Sequence, residues 1–325
     1  MTQPDADSSP AVPPPADATG RSGLRWLLTA FYMLSAVFVL VAVASTLDRA
    51  DGRVIPSLGA ITVAFVTLML ALRCSASAWA ALLPGEAAPV ELRRCVYASQ
   101  LGKYVPGGVV QGVGQVAIAG RHGIALRTAF PAYIVYAGHA ALGSLVAGLV
   151  LLTQVSAVGA AWAVMAGLLG VVGLASVSRR LLDAGLRLMQ RLVSRLRRIG
   201  PLPSQPALTR GFAFQVAFAL LQGVSFAVLL RSLDPSVPFV AAMGANAVAF
   251  GLGLLALPVP SGLLVREGIL IAILHPVAGA GVVVTAAVVQ RLAAIAAEVV
   301  MLGANRAAPT PSTRAKAPAE LRGAP

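Results

Sequence analysis

Six stretches without a single Asp, Glu, Lys or Arg dominate the chain: 26–47, 54–72, 128–178, 211–230, 235–265 and 268–290. A helix needs roughly 20 apolar residues to cross the hydrocarbon of a bilayer. Inside lipid, only helices and closed barrels satisfy their own backbone groups. These runs are far longer and more continuous than barrel strands, and the run over 128–178, 51 residues long, is enough for two spans. The pattern predicts an all-α polytopic membrane helix bundle of about seven full spans: 25–47, 54–73, 130–152, 158–177, 211–231, 238–257 and 278–304. Composition agrees. The chain is 58% hydrophobic and only 11% charged, against about 25% charged residues in a soluble domain. A water-soluble globule of this size would lack the polar surface to cover itself.

Both ends differ in character. Residues 1–22 are rich in Pro, Ala, Asp and Ser and read as a disordered tail, as do 307–325. The first tail lacks the basic opening of a signal peptide, and the apolar run behind it is too long for a signal core. The membrane domain then covers 23–306. Its two cysteines, Cys74 and Cys95, make no disulfide scaffold, and no metal-ligand spacing or cofactor motif occurs.

The net charge of +13 is read as topology rather than as nucleic-acid binding. Residues 179–210 hold eight arginines and one acid, Asp183, which is +7 of that total. Cationic loops stay in the cytoplasm, so this loop and the N-terminus are expected there. The side of the C-terminus depends on whether 258–275 crosses. Leu182, Leu186, Met189, Val193 and Leu196 follow helical spacing, with Arg187, Arg191, Arg195 and Arg198 opposite. A surface helix over Arg179–Arg198 could grip anionic lipid headgroups or serve only as a topology anchor.

Two stretches, 97–120 and 258–275, are broken by Pro and Gly. Aligned at an offset of 154, VPGGVVQGVG and VPSGLLVREG share Val105/Val259, Pro106/Pro260, Gly108/Gly262 and Gly114/Gly268. Proline removes a backbone donor and clashes with the preceding turn. Paired interrupted segments in corresponding halves are the sequence mark of a transporter's binding site and of an internal repeat. Half-helix N-termini after Pro106-Gly107-Gly108 and Pro260-Ser261-Gly262 would offer positive partial charge to an anion such as phosphate. Kinked helices or interfacial turns are the plainer alternative.

Charges gather beside these breaks. Lys103 precedes the first, Arg266 and Glu267 follow the second, and Arg291 and Glu298 lie seven residues apart, on one face of the final span. Ionised groups at helix centres cost about 2.5–3.5 kcal/mol on insertion scales. The candidate substrate-binding set is Lys103, Tyr104, Pro106, Gly107, Gly108, Gln111, Pro260, Gly262, Arg266, Glu267, Arg291 and Glu298. These would form a polar cavity whose cations meet a phosphate; a Glu267–Arg291 or Arg291–Glu298 pair that only locks helices together is equally open. Gln111 and Gln115 share a face and could line that cavity or bond between helices. His139, mid-span, could relay protons or donate to a neighbour's backbone. Gly143, Gly148, Gly244 and Gly251 suit close helix packing.

LGKYVPGGVVQGVGQ, then Gly120-Arg121-His122-Gly123-Ile124, then PVPSGLLVREG and Gln290-Arg291-Leu292, together resemble the lysylphosphatidylglycerol synthase/flippase transmembrane-domain family over roughly 25–305. Lys103, Tyr104, Pro106 and Gly107 match its first motif, and Pro260, Gly262, Arg266 and Glu267 its second, P-G-G-x-G-x-R-E. Ser261 and Leu264 stand where that motif has glycines, which bears on the tightness of the second turn. In the best-known relatives the domain flips an aminoacylated phospholipid that a separate soluble domain makes. The resemblance implies a lipid-handling transmembrane module of a bacterial or archaeal cytoplasmic (inner) membrane. Together with the paired broken segments and the buried cations it points to binding and translocation of a membrane phospholipid or polyprenyl-linked lipid, and with no catalytic motif or soluble catalytic domain the expected role is not enzymatic. The alternatives are an accessory scaffold for a partner synthase and a membrane-embedded lipid transferase working through Glu267, Glu298, His139 or Tyr104. No G-x-x-x-x-G-K-[ST] is present, so a gradient or downhill flow would drive any transport.

Overall fold

A computed structural model describes residues 55–104, 110–154, 160–192, 200–255 and 265–307. Among them are ten α-helices and no strand. We label them α1 (Leu58–Leu82), α2 (Pro89–Gln100), α3 (Val110–Arg121), α4 (Leu126–Leu152), α5 (Ala160–Val177), α6 (Arg179–Leu192), α7 (Gln205–Leu233), α8 (Phe239–Leu255), α9 (Val265–Leu274) and α10 (Ala280–Ala307). A 3-10 turn, Leu101–Tyr104, extends α2.

Four helices, α1, α4, α7 and α10, are long and apolar enough to cross a membrane. The expected span 25–47 lies outside the described residues. Helix α8 has 17 residues, and the qualifying apolar stretch of α5 covers Gly167–Val177. The four long helices accordingly carry the membrane assignment, without settling the expected total of seven. Helix α1 runs nine residues past the expected end at 73, through Arg73. A charge does not end a helix by itself, and Arg73 stays satisfied one turn on, donating to Ser77 Oγ at 2.7 Å. The start of α1 is set by Ser57, whose hydroxyl accepts from Ala60 N at 3.2 Å.

The interrupted segments form short helices. At 1.5 Å per residue, α2 and α3 (12 residues each) are about 18 Å long and α9 (10 residues) about 15 Å. None spans a hydrocarbon core of about 30 Å. Helices α2 and α3 fold back on each other, with Ser99 Oγ donating to Gln115 Oε1 at 3.4 Å across the pair. Helix α9 packs back along α8, Leu270 and Leu274 sharing a core with Ala241, Ala242 and Ala245.

The offset of 154 extends well beyond the ten residues that suggested it. It carries α3 onto 264–275 and α4 onto 280–306, within a residue or two of α9 and α10. It carries α2 onto 243–254, inside α8, and α1 onto 212–236, over most of α7. Two four-helix units therefore repeat, α1–α4 and α7–α10, joined by α5 and α6. The corresponding helices α1 and α7 pack tightly and antiparallel. Ala60 and Ala64, at the start of α1, share a core with Phe226 to Leu233 at the end of α7. At the other end, Leu82 closes on Gly211, where an added Cβ would sit 3.0 Å from Leu82 Cδ2. The two units are inverted with respect to each other.

Pairings between elements follow the same exchange. Helix α1 packs on α10 as α7 packs on α4, and α1 on α2 as α7 on α8. The α4–α8 interface is the exception in scale: it is far more extensive than its counterpart, α2 on α10.

Candidate functional site

The final helix brings the polar residues together. Seven residues separate Arg291 from Glu298, so both lie on one face of α10, about 10 Å apart along its axis. Each meets a different interrupted segment. Lys103 Nζ, on the turn after α2, forms an ion pair with Glu298 Oε1 and also donates to Gln100 Oε1 at 3.3 Å. Arg291 Nη1 lies 3.4 Å from Glu267 Oε1, in the first turn of α9. Of the two pairs expected as alternatives for Arg291, the one with Glu267 forms; Glu298 turns to Lys103.

Arg266 takes a different environment. Its Nη2 donates to Asn246 Oδ1 on α8 at 2.7 Å and to Gln290 Oε1 on α10. Gln290 in turn donates through Nε2 to the Gln222 carbonyl of α7 at 2.8 Å. One guanidinium thus ties three helices of the second repeat through neutral amides. Arginine suits this because its planar fork offers several donors at fixed angles.

Two buried polar atoms beside these contacts have no partner among the described residues: Asn246 Nδ2 and Glu298 Oε2. Asn246 is fully buried and Glu298 is 5% exposed. Leaving such a group without a hydrogen bond costs about 1–3 kcal/mol, and more when it is charged. One is a donor next to Arg266, the other an acceptor next to Lys103.

The remaining expectations divide. Gln115 is buried and bonds between helices through Ser99, whereas Gln111 stays half-buried at the start of α3. Tyr104 ends the 3-10 turn. Pro106, Gly107, Gly108, Pro260 and Gly262 lie outside the described residues. His139 Nε2 is 3.1 Å from the Ser176 carbonyl of α5, so that nitrogen donates to a backbone group, and Phe212 packs edge-on against the ring. Helix α6 turns Leu182 and Leu186 inward while Arg187 and Arg191 are exposed. Gln205 clasps its start, accepting from Arg179 N at 2.8 Å.

Residues 24–301 match the family model described as the lysylphosphatidylglycerol synthase TM region. The chain belongs to this family. No curated protein matches it. As a member of the lysylphosphatidylglycerol synthase TM-region family with four long apolar helices, it is a multi-pass helical membrane protein of a family named for a phospholipid.

Asn246, Gln222 and Gln100 were not among the expected parts of this arrangement, and Gln290 was named only in a family motif, without a role in the site. All four are neutral amides, which a count of charges passes over. The available signal was Asn246 and Gln222, each the lone Asn or one of two Gln within a long apolar run. An amide in such a place needs a polar partner within the bundle.

Proposed function

We propose that this chain binds the headgroup of a phospholipid or lipid-linked carrier along the polar face of α10 and moves it across the membrane. The observation that carries this reading is the convergence of both interrupted segments, one from each inverted repeat, on charged residues of a single helix. Inverted repeats with broken helices at their interface are the architecture of secondary transporters. Ionised residues within a bundle mark substrate paths.

The headgroup phosphate would accept from the Arg266 guanidinium and the Asn246 amide. A hydroxyl or ammonium further out on the headgroup would donate to Glu298 Oε2. The acyl chains stay in lipid throughout. This role is binding and movement rather than bond chemistry, and it needs no cofactor.

The basic loop supports one orientation. With 179–210 in the cytoplasm, α4 runs outward, α7 outward and α10 inward, provided that α2–α3 and α8–α9 each return to the side they left. The N-terminus and the C-terminus then both face the cytoplasm, and α6 lies on anionic lipid at that surface.

The test is reconstitution of the purified chain into vesicles carrying a phospholipid labelled with a fluorophore on an acyl chain. Quenching from outside reports how much lipid changes leaflet. The proposal expects movement that falls at least tenfold in Arg266→Ala, Arg291→Ala and Lys103→Ala. Movement that these substitutions leave unchanged sinks the site. No movement of any lipid favours an accessory role beside a partner synthase.

A further inference from the structure

The two repeats match in helix order and pairing, but one pair of equivalent interfaces differs. Helices α4 and α8 are in intimate contact. A Cβ on Gly148 would lie 2.7 Å from Val248 N and 2.8 Å from the Gly244 oxygen. A Cβ on Gly251 would lie 2.7 Å from Leu145 Cγ and 3.0 Å from the Ala141 oxygen. Backbone meets backbone along this seam, so it is closed.

The counterpart seam, α2 against α10, is loose. The offset of 154 carries Leu145 to Val299. Leu145 is 5% exposed in the α4–α8 seam, whereas Val299 is 53% exposed. The offset likewise carries Gly148 to Leu302 and Gly251 to Tyr97, so the second seam has larger side chains where the first has glycine. Across it Lys103, on the turn that extends α2, forms an ion pair with Glu298.

In a pseudo-symmetric molecule with one seam closed and its mate loose, an exchange of shape between the repeats would give a second conformation. We infer that the α4–α8 seam is a gate, that it opens when the α2–α10 seam closes, and that this exchange exposes the α10 site to the two faces of the membrane in turn. The inference rests on the translocation reading above. In the orientation proposed there, the α4–α8 seam fills the outer half of the bundle and the α2–α10 seam the inner half. The looser seam is thus the one on the cytoplasmic side, and the polar atoms of the site, Asn246 Nδ2 and Glu298 Oε2, are buried in this conformation. The larger residues of the α2–α10 seam make its closure less tight, so the conformation with the α4–α8 seam closed is the resting one.

The experiment uses the full chain with Cys74 and Cys95 replaced by Ala and Leu145→Cys/Gly251→Cys introduced. Disulfide-bonded cysteines place their Cβ atoms about 3.5–4.5 Å apart, which this contact allows. Leu152→Cys/Gly244→Cys is a second pair on the same seam, where a Cβ on Gly244 would lie 2.9 Å from Leu152 Cγ. Oxidation should join either pair and lower the rate of lipid movement at least tenfold, and reductant should restore it. A third variant, Val299→Cys, alters only an exposed position; coupling a bulky, membrane-permeant maleimide there should block closure of α2 on α10 and lower the rate as much.

Undiminished movement with the α4–α8 seam joined overturns the gate. So does undiminished movement with Val299→Cys derivatised, because a rigid bundle tolerates both changes. Absence of movement in the unlocked protein overturns the transport reading and the gate together, which separates the two failures.

Discussion

Replacing Glu298 by Gln keeps the size and hydrogen-bonding reach of the side chain but removes its charge. Lys103 then keeps the Gln100 oxygen and loses its anionic partner. Breaking a fully buried ion pair costs about 3–5 kcal/mol, and an exposed one about 0–1 kcal/mol. This pair lies between those limits: the Glu298 side chain is 7% exposed and that of Lys103 29%. Water can reach the lysine and soften the loss, so the expected cost is about 2 kcal/mol. The measurement is a double-mutant cycle of Lys103→Gln, Glu298→Gln and both together. Unfolding in mixed micelles is titrated with SDS and followed by tryptophan fluorescence, to which the buried Trp79 contributes. The double variant should lose well under the sum of the single losses, giving a coupling of about 1.5 kcal/mol. Additivity within about 0.3–0.5 kcal/mol, as found for distant sites, would show that the two groups do not act as a pair.

Other expectations follow from individual contacts. Gly148→Leu should destabilise the bundle by about 1–3 kcal/mol through overpacking and shift its unfolding midpoint, whereas Gly167→Leu, where an added Cβ meets nothing within 4 Å, should be neutral in the same titration. Tyr136→Phe removes the 2.6 Å bond to Ser75 between α4 and α1 and should cost about 0.6–2 kcal/mol by the same measure. Arg266→Lys should reduce lipid movement nearly as much as Arg266→Ala, because a single ammonium cannot reproduce the fork that reaches Asn246 and Gln290. Cysteines placed at Arg195 and Ala50 should be labelled by impermeant maleimide from opposite sides of the membrane; labelling of both from outside would overturn the proposed topology.

Much of the fold was legible because lipid leaves a helix few choices. The uncharged runs mark α1, α4, α7 and α10, and Pro with Gly marks where the short helices break. The repeat was visible as four matching positions at offset 154, yet its extent over eight helices required the helix ends themselves. Its inversion depends on how α1 lies against α7, which a linear pattern does not carry. Within the site, the candidates Lys103, Arg266, Glu267, Arg291 and Glu298 do converge on or beside α10. Their pairing was beyond reach, since Lys103 and Glu298 are 195 residues apart and both acids were equally plausible partners for Arg291. Asn246 and Gln222 escaped notice, and Gln290 was noted only within a family motif, because hydropathy weighs a neutral amide lightly, although a buried amide constrains its neighbours as firmly as a charge does.

A lipid headgroup that travels along the polar face of α10 must touch the residues of that face. Photocrosslinking tests it most directly. A phospholipid with a photoreactive group on its headgroup is incorporated beside the full chain, irradiated, and its attachment sites are mapped by mass spectrometry. Adducts are expected at 290–298 and around Asn246, and they disappear in Arg266→Ala. Adducts confined to outward-facing apolar positions such as Leu168, Val171 and Leu174, unchanged by that substitution, would contradict it.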